Sequence, residues 1–217
     1  MKNIIALTLV SSAVPLFAVT VGDQDVSVEF YTPRTVRVLK TPAGATFSKP
    51  FETVNAKPGA VSVKFEGGET ATWSSDALVV KLDKNTRLVS FWTPQGERIF
   101  GEKENAYFHH VEYGACKAMR VNQCFEFAKD EGLYGLGDLE NGRLNQRGEK
   151  NTLTPRNVGD GIPYVASNRG WALCGTTRAR RSSRTGPATS STSRARWAKA
   201  LTTISCGAAR VTAASPR

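Results

Sequence analysis

The stretch Leu78-Val79-Val80-Lys81-Leu82-Asp83-Lys84-Asn85-Thr86-Arg87-Leu88-Val89-Ser90-Phe91-Trp92 reads as two short alternating runs around a polar turn. Leu78, Val80 and Leu82 repeat with a period of two, the signature of a strand with one buried face. Asp83-Lys84-Asn85 supplies the turn chemistry of a hairpin. In the second run Leu88, Ser90 and Trp92 share one register, which predicts that Trp92 packs in the core.

The same period extends outward in both directions. Val26, Val28 and Phe30, then Val36 and Val38, then Val61, Val63 and Phe65 alternate with polar residues. Turn residues separate these runs at Thr32-Pro33-Arg34, Lys57-Pro58-Gly59, Glu66-Gly67-Gly68 and Thr93-Pro94-Gln95-Gly96. No segment before residue 173 keeps a 3.6-residue apolar period for three turns. The reading is an all-β, mainly antiparallel β-sandwich.

Two ends differ from this body. Met1-Lys2-Asn3, an apolar run from Ile4 to Ala18 and the polar Gly22-Asp23-Gln24-Asp25 read as a secretory signal over 1–18, too short to span a bilayer. Export to a periplasm or to the medium follows, in a compartment that permits disulfides. From Cys174 to Arg217 the chain holds nine Lys/Arg and no Asp/Glu, whereas the remainder has twenty basic and nineteen acidic residues. The net charge of +10 therefore sits almost wholly in the tail. Large apolar residues nearly vanish there, which predicts a disordered basic segment over 174–217.

Leu133-Tyr134-Gly135-Leu136-Gly137, Leu144-Asn145-Gln146-Arg147-Gly148, Gly161-Ile162-Pro163-Tyr164 and Ser167-Asn168-Arg169-Gly170-Trp171 form an ordered series. In order and spacing it resembles the N-terminal, galactose-mutarotase-like domain of glycoside hydrolase family 31, over about residues 19–173. The Asn-x-Arg-Gly form is most similar to bacterial α-xylosidases, with α-glucosidases next. The resemblance implies retaining hydrolysis of α-linked terminal glycosyl residues by two carboxyl groups roughly 5 Å apart. In the family both lie on a (β/α)₈ barrel of about 250 residues that follows this domain, and a chain of 217 residues has no room for one. No catalytic residue is carried over, no cofactor is implied, and the missing barrel is the expected packing partner.

The tail carries a second signal. Codons built from the last base of one codon and the first two of the next let Leu173-Cys174-Gly175-Thr176-Thr177 encode Leu-Trp-Asp-Asn. In the same phase Leu201-Thr202-Thr203-Ile204-Ser205-Cys206-Gly207 permits Asp-Tyr-Tyr-Phe-Met-Trp-Gly. Both resemble what the family shows next, which points to a frameshift near Leu173.

Several residues invite a functional reading. In the family the loop after Gly137 lies near the barrel's mouth, so the resemblance makes Asp138, Glu140, Asn141, Asn145 and Arg147 candidates for shaping a substrate subsite; turn and inter-domain contacts are the plain alternative. Gly132–Gly137 lacks the spacing of a phosphate-binding turn, and its glycines serve tight turns or close packing. His109 and His110 are adjacent without further ligands, which argues against a metal site. Cys116 and Cys124 are spaced so that they could pair across a hairpin or loop. Trp73, Trp92 and Trp171 could stack on sugar rings or fill the core. The arginines at 178, 180, 181, 184, 194 and 196 lack the interleaved aromatics of a nucleic-acid surface, so nucleic acid is not an expected partner; the short apolar run over 4–18 leaves no membrane partner expected either. Two classes remain: the N-terminal fragment of an exported α-glycosidase, inactive alone, or a free-standing carbohydrate-binding or protein-contact β-domain.

Overall fold

A computed structural model describes residues 17–45, 60–113, 116–153, 159–175, 181–185, 190–196 and 201–206. The signal segment up to residue 16, the turn at Lys57-Pro58-Gly59, and Arg178, Arg180 and Trp197 of the tail lie outside them. The described residues hold no helix. The chain first runs through β1 (Phe17–Val21), β2 (Gln24–Thr32), β3 (Thr35–Pro42), β4 (Lys64–Glu66), β5 (Thr70–Ser74), β6 (Val79–Asp83), β7 (Val89–Trp92) and β8 (Arg98–Tyr113). It continues through β9 (Cys116–Glu126), β10 (Leu133–Gly137), β11 (Lys150–Leu153), β12 (Gly161–Ser167), β13 (Ala172–Gly175), β14 (Arg181–Thr185), β15 (Ser190–Arg196) and β16 (Leu201–Cys206). All pairings are antiparallel, in two sheets ordered β1-β2-β3-β16-β13-β12-β10 and β11-β14-β15-β9-β8-β7-β6-β5-β4.

One core joins the sheets. Val26, Val28, Phe30, Val36 and Val38 of the first pack in the same cluster as Trp73, Val80, Leu82, Phe91, Phe100 and Phe125 of the second. This is the expected sandwich. The alternation of β2 and β3 carries polar residues into that core as well, because Gln24 and Lys40 stand in phase with the valines. Gln24 donates from Nε2 to the Ala106 carbonyl at 2.6 Å. Lys40 donates from Nζ to Glu102 Oε2 at 2.6 Å and to the Arg87 carbonyl at 2.9 Å, with both charged side chains almost fully buried. The Val89 N–H and the Gln123 side-chain amide donate to the same carboxylate. A buried ion pair survives only when its remaining lone pairs are satisfied, and here they are.

The central hairpin forms as the sequence suggests, but the second strand is in the other register. Leu82 opposes Val89, and Val80 opposes Phe91. Val89 and Phe91 are buried, while Trp92 is half-buried on the opposite face. The turn is the cause. It runs through Leu88, closed by the Asp83 N–H on the Leu88 carbonyl, with Asp83 Oδ1 accepting from the Asn85 and Thr86 N–H groups. Arg87 takes a φ of 61° there, so Leu88 belongs to the turn and the alternation restarts one residue later.

Cys116 and Cys124 do not face each other across a hairpin. They are the first and ninth residues of β9, and an extended strand sets them about 26 Å apart, far beyond disulfide reach. Beyond β13 the described residues of the tail are the short segments β14, β15 and β16. Those strands take positions beside β11, β9 and β3, whose unpaired N–H and C=O rows accept backbone partners with little demand on side-chain apolarity.

Three carboxylates held by local hydrogen bonds set an acid limit. The Thr20 hydroxyl and the Gly44 N–H hold Asp25 below the ordinary value of 3.8, and the Thr86 and Asn85 N–H groups do the same for Asp83. Asp130 is lowered by its own backbone N–H and then by the Arg169 guanidinium. A group lowered in the folded state stabilises the fold above its unfolded value and loses that contribution as pH falls through the folded one. Thermal stability is therefore expected to fall below about pH 4. The combined Asp25→Asn, Asp83→Asn and Asp130→Asn variant should show a shallower fall in a melting series from pH 7 to 2.5; an unchanged slope would remove these groups from the account.

Candidate functional site

The site begins with the backbone of β10. Gly135, Leu136 and Gly137 have φ values of 107°, 70° and 93°, and the β10–β12 register shifts between Gly135 and Gly137. Only glycine admits this at Gly137, where a Cβ would lie 1.8 Å from the Asp160 carbonyl oxygen. Leu136 accepts a left-handed conformation with its side chain buried at 5% exposure. The bulge ends the strand and releases the loop that follows.

That loop is clamped to the turn before β10. The Leu133 N–H donates to Asn145 Oδ1 at 3.1 Å, which also accepts from the Arg147 N–H, and the Gln146 N–H donates to the Leu133 carbonyl at 2.7 Å. Arg147 Nη1 donates to the Glu131 carbonyl at 2.7 Å. From the other side Asn168 Oδ1 accepts from the Gly132 N–H at 3.0 Å. Glu131, 2% exposed, accepts hydrogen bonds from Trp171 Nε1 at 2.6 Å, from the Ala128 N–H at 2.9 Å and from the Ser167 hydroxyl. The Trp171 ring stacks on Phe100 and Phe127 with centroids at 4.4 and 5.4 Å. Three of the four motifs thus converge on residues 131–133, while the fourth, Gly161-Ile162-Pro163-Tyr164, lies against Gly135 and Gly137.

Beyond the clamp lies an open polar cavity of about 390 Å³, lined by Asp138, Leu139, Glu140, Asn141, Lys150, Asn151, Thr152, Gly159 and Gly161. Its floor is an amide chain: Asn141 Nδ2 donates to Gln146 Oε1 at 2.9 Å, and Asn151 Nδ2 donates to the same oxygen at 3.1 Å. Asn141 Oδ1 accepts from the Arg143 N–H, so its amide is committed to the loop. Asp138 and Glu140 are exposed, and among the described residues their carboxylates have no hydrogen-bond or ion-pair partner. Two open carboxylates in a cavity that Lys150 also lines suit a polyhydroxylated ligand, whose hydroxyls both donate and accept.

Of the five residues picked from sequence, Asp138, Glu140 and Asn141 line this cavity, whereas Asn145 and Arg147 hold the loop in place. Glu131, Gln146, Lys150 and Asn151 were missed; Gln146 stood inside a motif, and nothing near Glu131 marked it. The tryptophans offer no open platform. Trp73 and Trp171 are core residues at 0% and 2% exposure, and Lys81 Nζ sits 4.4 Å from the centre of the Trp92 ring. His109 and His110 are exposed on β8, opposite Arg120 and Met119, and the described residues contain no cluster of three or more potential metal ligands.

Known proteins share this fold. An alpha-xylosidase of Saccharolobus solfataricus is 26% identical over 170 residues, covering 70% of this chain and 22% of its own length. The fold superposes with a TM-score of 0.78 on a GH31 alpha-xylosidase from a soil metagenome, solved with xylose, at 18% identity over 96% of this chain and 32% of that one. A GH31 alpha-xylosidase of Xanthomonas citri gives 0.68 at 22% identity, over 82% of this chain and 19% of its own. The chain thus spans less than a third of the length of each. Residues 25–171 match the model of the glycosyl hydrolase 31 N-terminal galactose mutarotase-like domain, and it is to this family that the chain belongs.

Proposed function

We propose that this chain is the N-terminal β-sandwich of an exported α-glycosidase of the α-xylosidase or α-glucosidase type. In that parent enzyme the loop after Gly137 helps to form a substrate subsite, and the catalytic carboxyl groups lie on a barrel packed against this domain. The observation that carries the reading is the pair of partnerless carboxylates, Asp138 and Glu140, in a cavity beside a loop clamped by Asn141, Asn145, Gln146 and Arg147. Such groups accept hydrogen bonds from sugar hydroxyls without being the nucleophile and acid/base pair. On the same reading the segment after Leu173 is out-of-frame translation, and the 217-residue polypeptide alone does not hydrolyse glycosides.

The assay is direct. Purified chain incubated with p-nitrophenyl α-xyloside and α-glucoside is expected to release no nitrophenol above buffer, and turnover would overturn the claim of inactivity. Asp138→Asn with Glu140→Gln should leave the melting temperature within about 1 °C, since surface substitutions away from bonded groups change little. Saturable xylose binding by the unmodified chain that this double variant abolishes would favour the free-standing binding domain. Restoring one base near codon 173 should open a barrel-encoding frame in the gene.

A further inference from the structure

Among the described residues four asparagines are exposed: Asn85, Asn141, Asn145 and Asn168. An asparagine carboxamide lies within ring-closing reach of the main-chain nitrogen of the next residue, and three of these four nitrogens are occupied. The Thr86 N–H donates to Asp83 Oδ1 at 3.0 Å, the Gln146 N–H to the Leu133 carbonyl at 2.7 Å, and the Arg169 N–H to the Ser167 hydroxyl at 3.0 Å. Gly142, which follows Asn141, differs. Among the described residues its N–H has no hydrogen-bond partner. It has no side chain to shield that nitrogen, and nothing lies within 4 Å of the place where a Cβ would stand. The neighbouring carboxamide is held from its oxygen end, with Asn141 Oδ1 accepting from the Arg143 N–H at 3.1 Å and from Gln146 Nε2 at 3.4 Å.

From this geometry we propose that Asn141-Gly142 is a self-modification site, at which the carboxamide is lost with water as the only co-reactant. The Gly142 nitrogen attacks Asn141 Cγ and a C–N bond forms. The Gly142 amide proton passes through water to the departing group, and the Cγ–Nδ2 bond breaks to release ammonia. The attack is intramolecular, so no second molecule has to be captured for ring closure. The two N–H groups on Oδ1 stabilise the negative charge that develops there as Cγ becomes tetrahedral. Water then opens the cyclic imide at either carbonyl, which leaves an aspartate or, with the main chain rerouted through Cβ and Cγ, an isoaspartate. One water is consumed and one ammonia released, with no change of oxidation state.

The product alters the cavity. Asn141 Nδ2 donates to Gln146 Oε1 at 2.9 Å and to Asn151 Oδ1 at 3.3 Å, so a carboxylate in its place sets acceptor against acceptor. It also brings a further negative charge to a cavity that Asp138 and Glu140 already line. The inference rests on the loop alone and is independent of any glycosidase activity.

Mass spectrometry of the full chain, incubated for days at mildly alkaline pH without denaturant and then digested, tests the site. The peptide carrying Asn141 should gain the mass of an amide-to-acid exchange, with isoaspartate among the products, while Asn85, Asn145 and Asn168 stay intact. Gly142→Ala should slow the gain at least about ten-fold, because the added Cβ crowds the attacking nitrogen. No gain at Asn141, an equal gain at the other three asparagines, or an undiminished rate in Gly142→Ala overturns the proposal. Asn141→Asp makes the main-chain-intact product directly and should melt about 2–6 °C lower, on the scale of one hydrogen bond replaced by opposed acceptors. An unchanged melting temperature overturns the effect on the cavity.

Discussion

Lys40→Met is expected to lower folding stability by about 3–5 kcal/mol, the range for removing one partner of a buried ion pair. The Lys40 and Glu102 side chains are 1% and 0% exposed, so no water replaces the lost ammonium. A domain is stable by only about 5–15 kcal/mol, and the loss would shift the denaturation midpoint visibly. Adding Glu102→Leu should recover part of it. Recovery stays partial, because the Val89 N–H and the Gln123 amide also donate to that carboxylate and would lose their acceptor. A double-mutant cycle in urea measures the coupling; a loss below about 1 kcal/mol for Lys40→Met would show that the pair is solvated after all.

Gly137→Ala should be nearly as damaging, for a different reason. A Cβ at this position meets the Asp160 carbonyl oxygen at 1.8 Å and the Ile162 nitrogen at 2.7 Å, both main-chain atoms at the start of the adjoining segment. At a φ of +93° the side chain also carries a conformational penalty. The sum is about 2–5 kcal/mol, from left-handed strain and overpacking together. Gly142→Ala provides the comparison, since its φ is +66° and nothing lies within 4 Å of the added atom. It should cost only about 1–2 kcal/mol. Equal losses in the two variants would mean that close strand approach at Gly137 does not matter.

The fold was legible where period two met buried neighbours. Val26, Val28, Phe30, Val36 and Val38 fell on the core face as their spacing indicated, because apolar alternation encodes a half-buried strand directly. The hairpin register was not legible, since the length of the Asp83–Leu88 turn depends on side-chain bonds to the backbone and on Arg87 in a left-handed conformation. Lys40 was hidden by its chemistry. Its place in phase with Val36 and Val38 was the available signal, and its partner lies 62 residues away. In the candidate site the carboxylates of Asp138 and Glu140 were found through their loop, but Asn145 and Arg147 turned out to bind main chain, which composition alone cannot distinguish from ligand binding. Glu131 is an anchor assembled from residues distant in sequence, and no local pattern announces one.

The position of Trp171 has a consequence in time. Its indole completes the coordination of Glu131 from forty residues downstream, and its ring closes the aromatic stack with Phe100 and Phe127. Synthesis proceeds at about 5–20 residues per second, so a nascent chain waits roughly 2–8 s between exposing that carboxylate and presenting its cap. Through that interval the hairpins around β6 and β7 can form, yet the two sheets cannot lock at this end. The domain is therefore sealed by the last residue of its matched span.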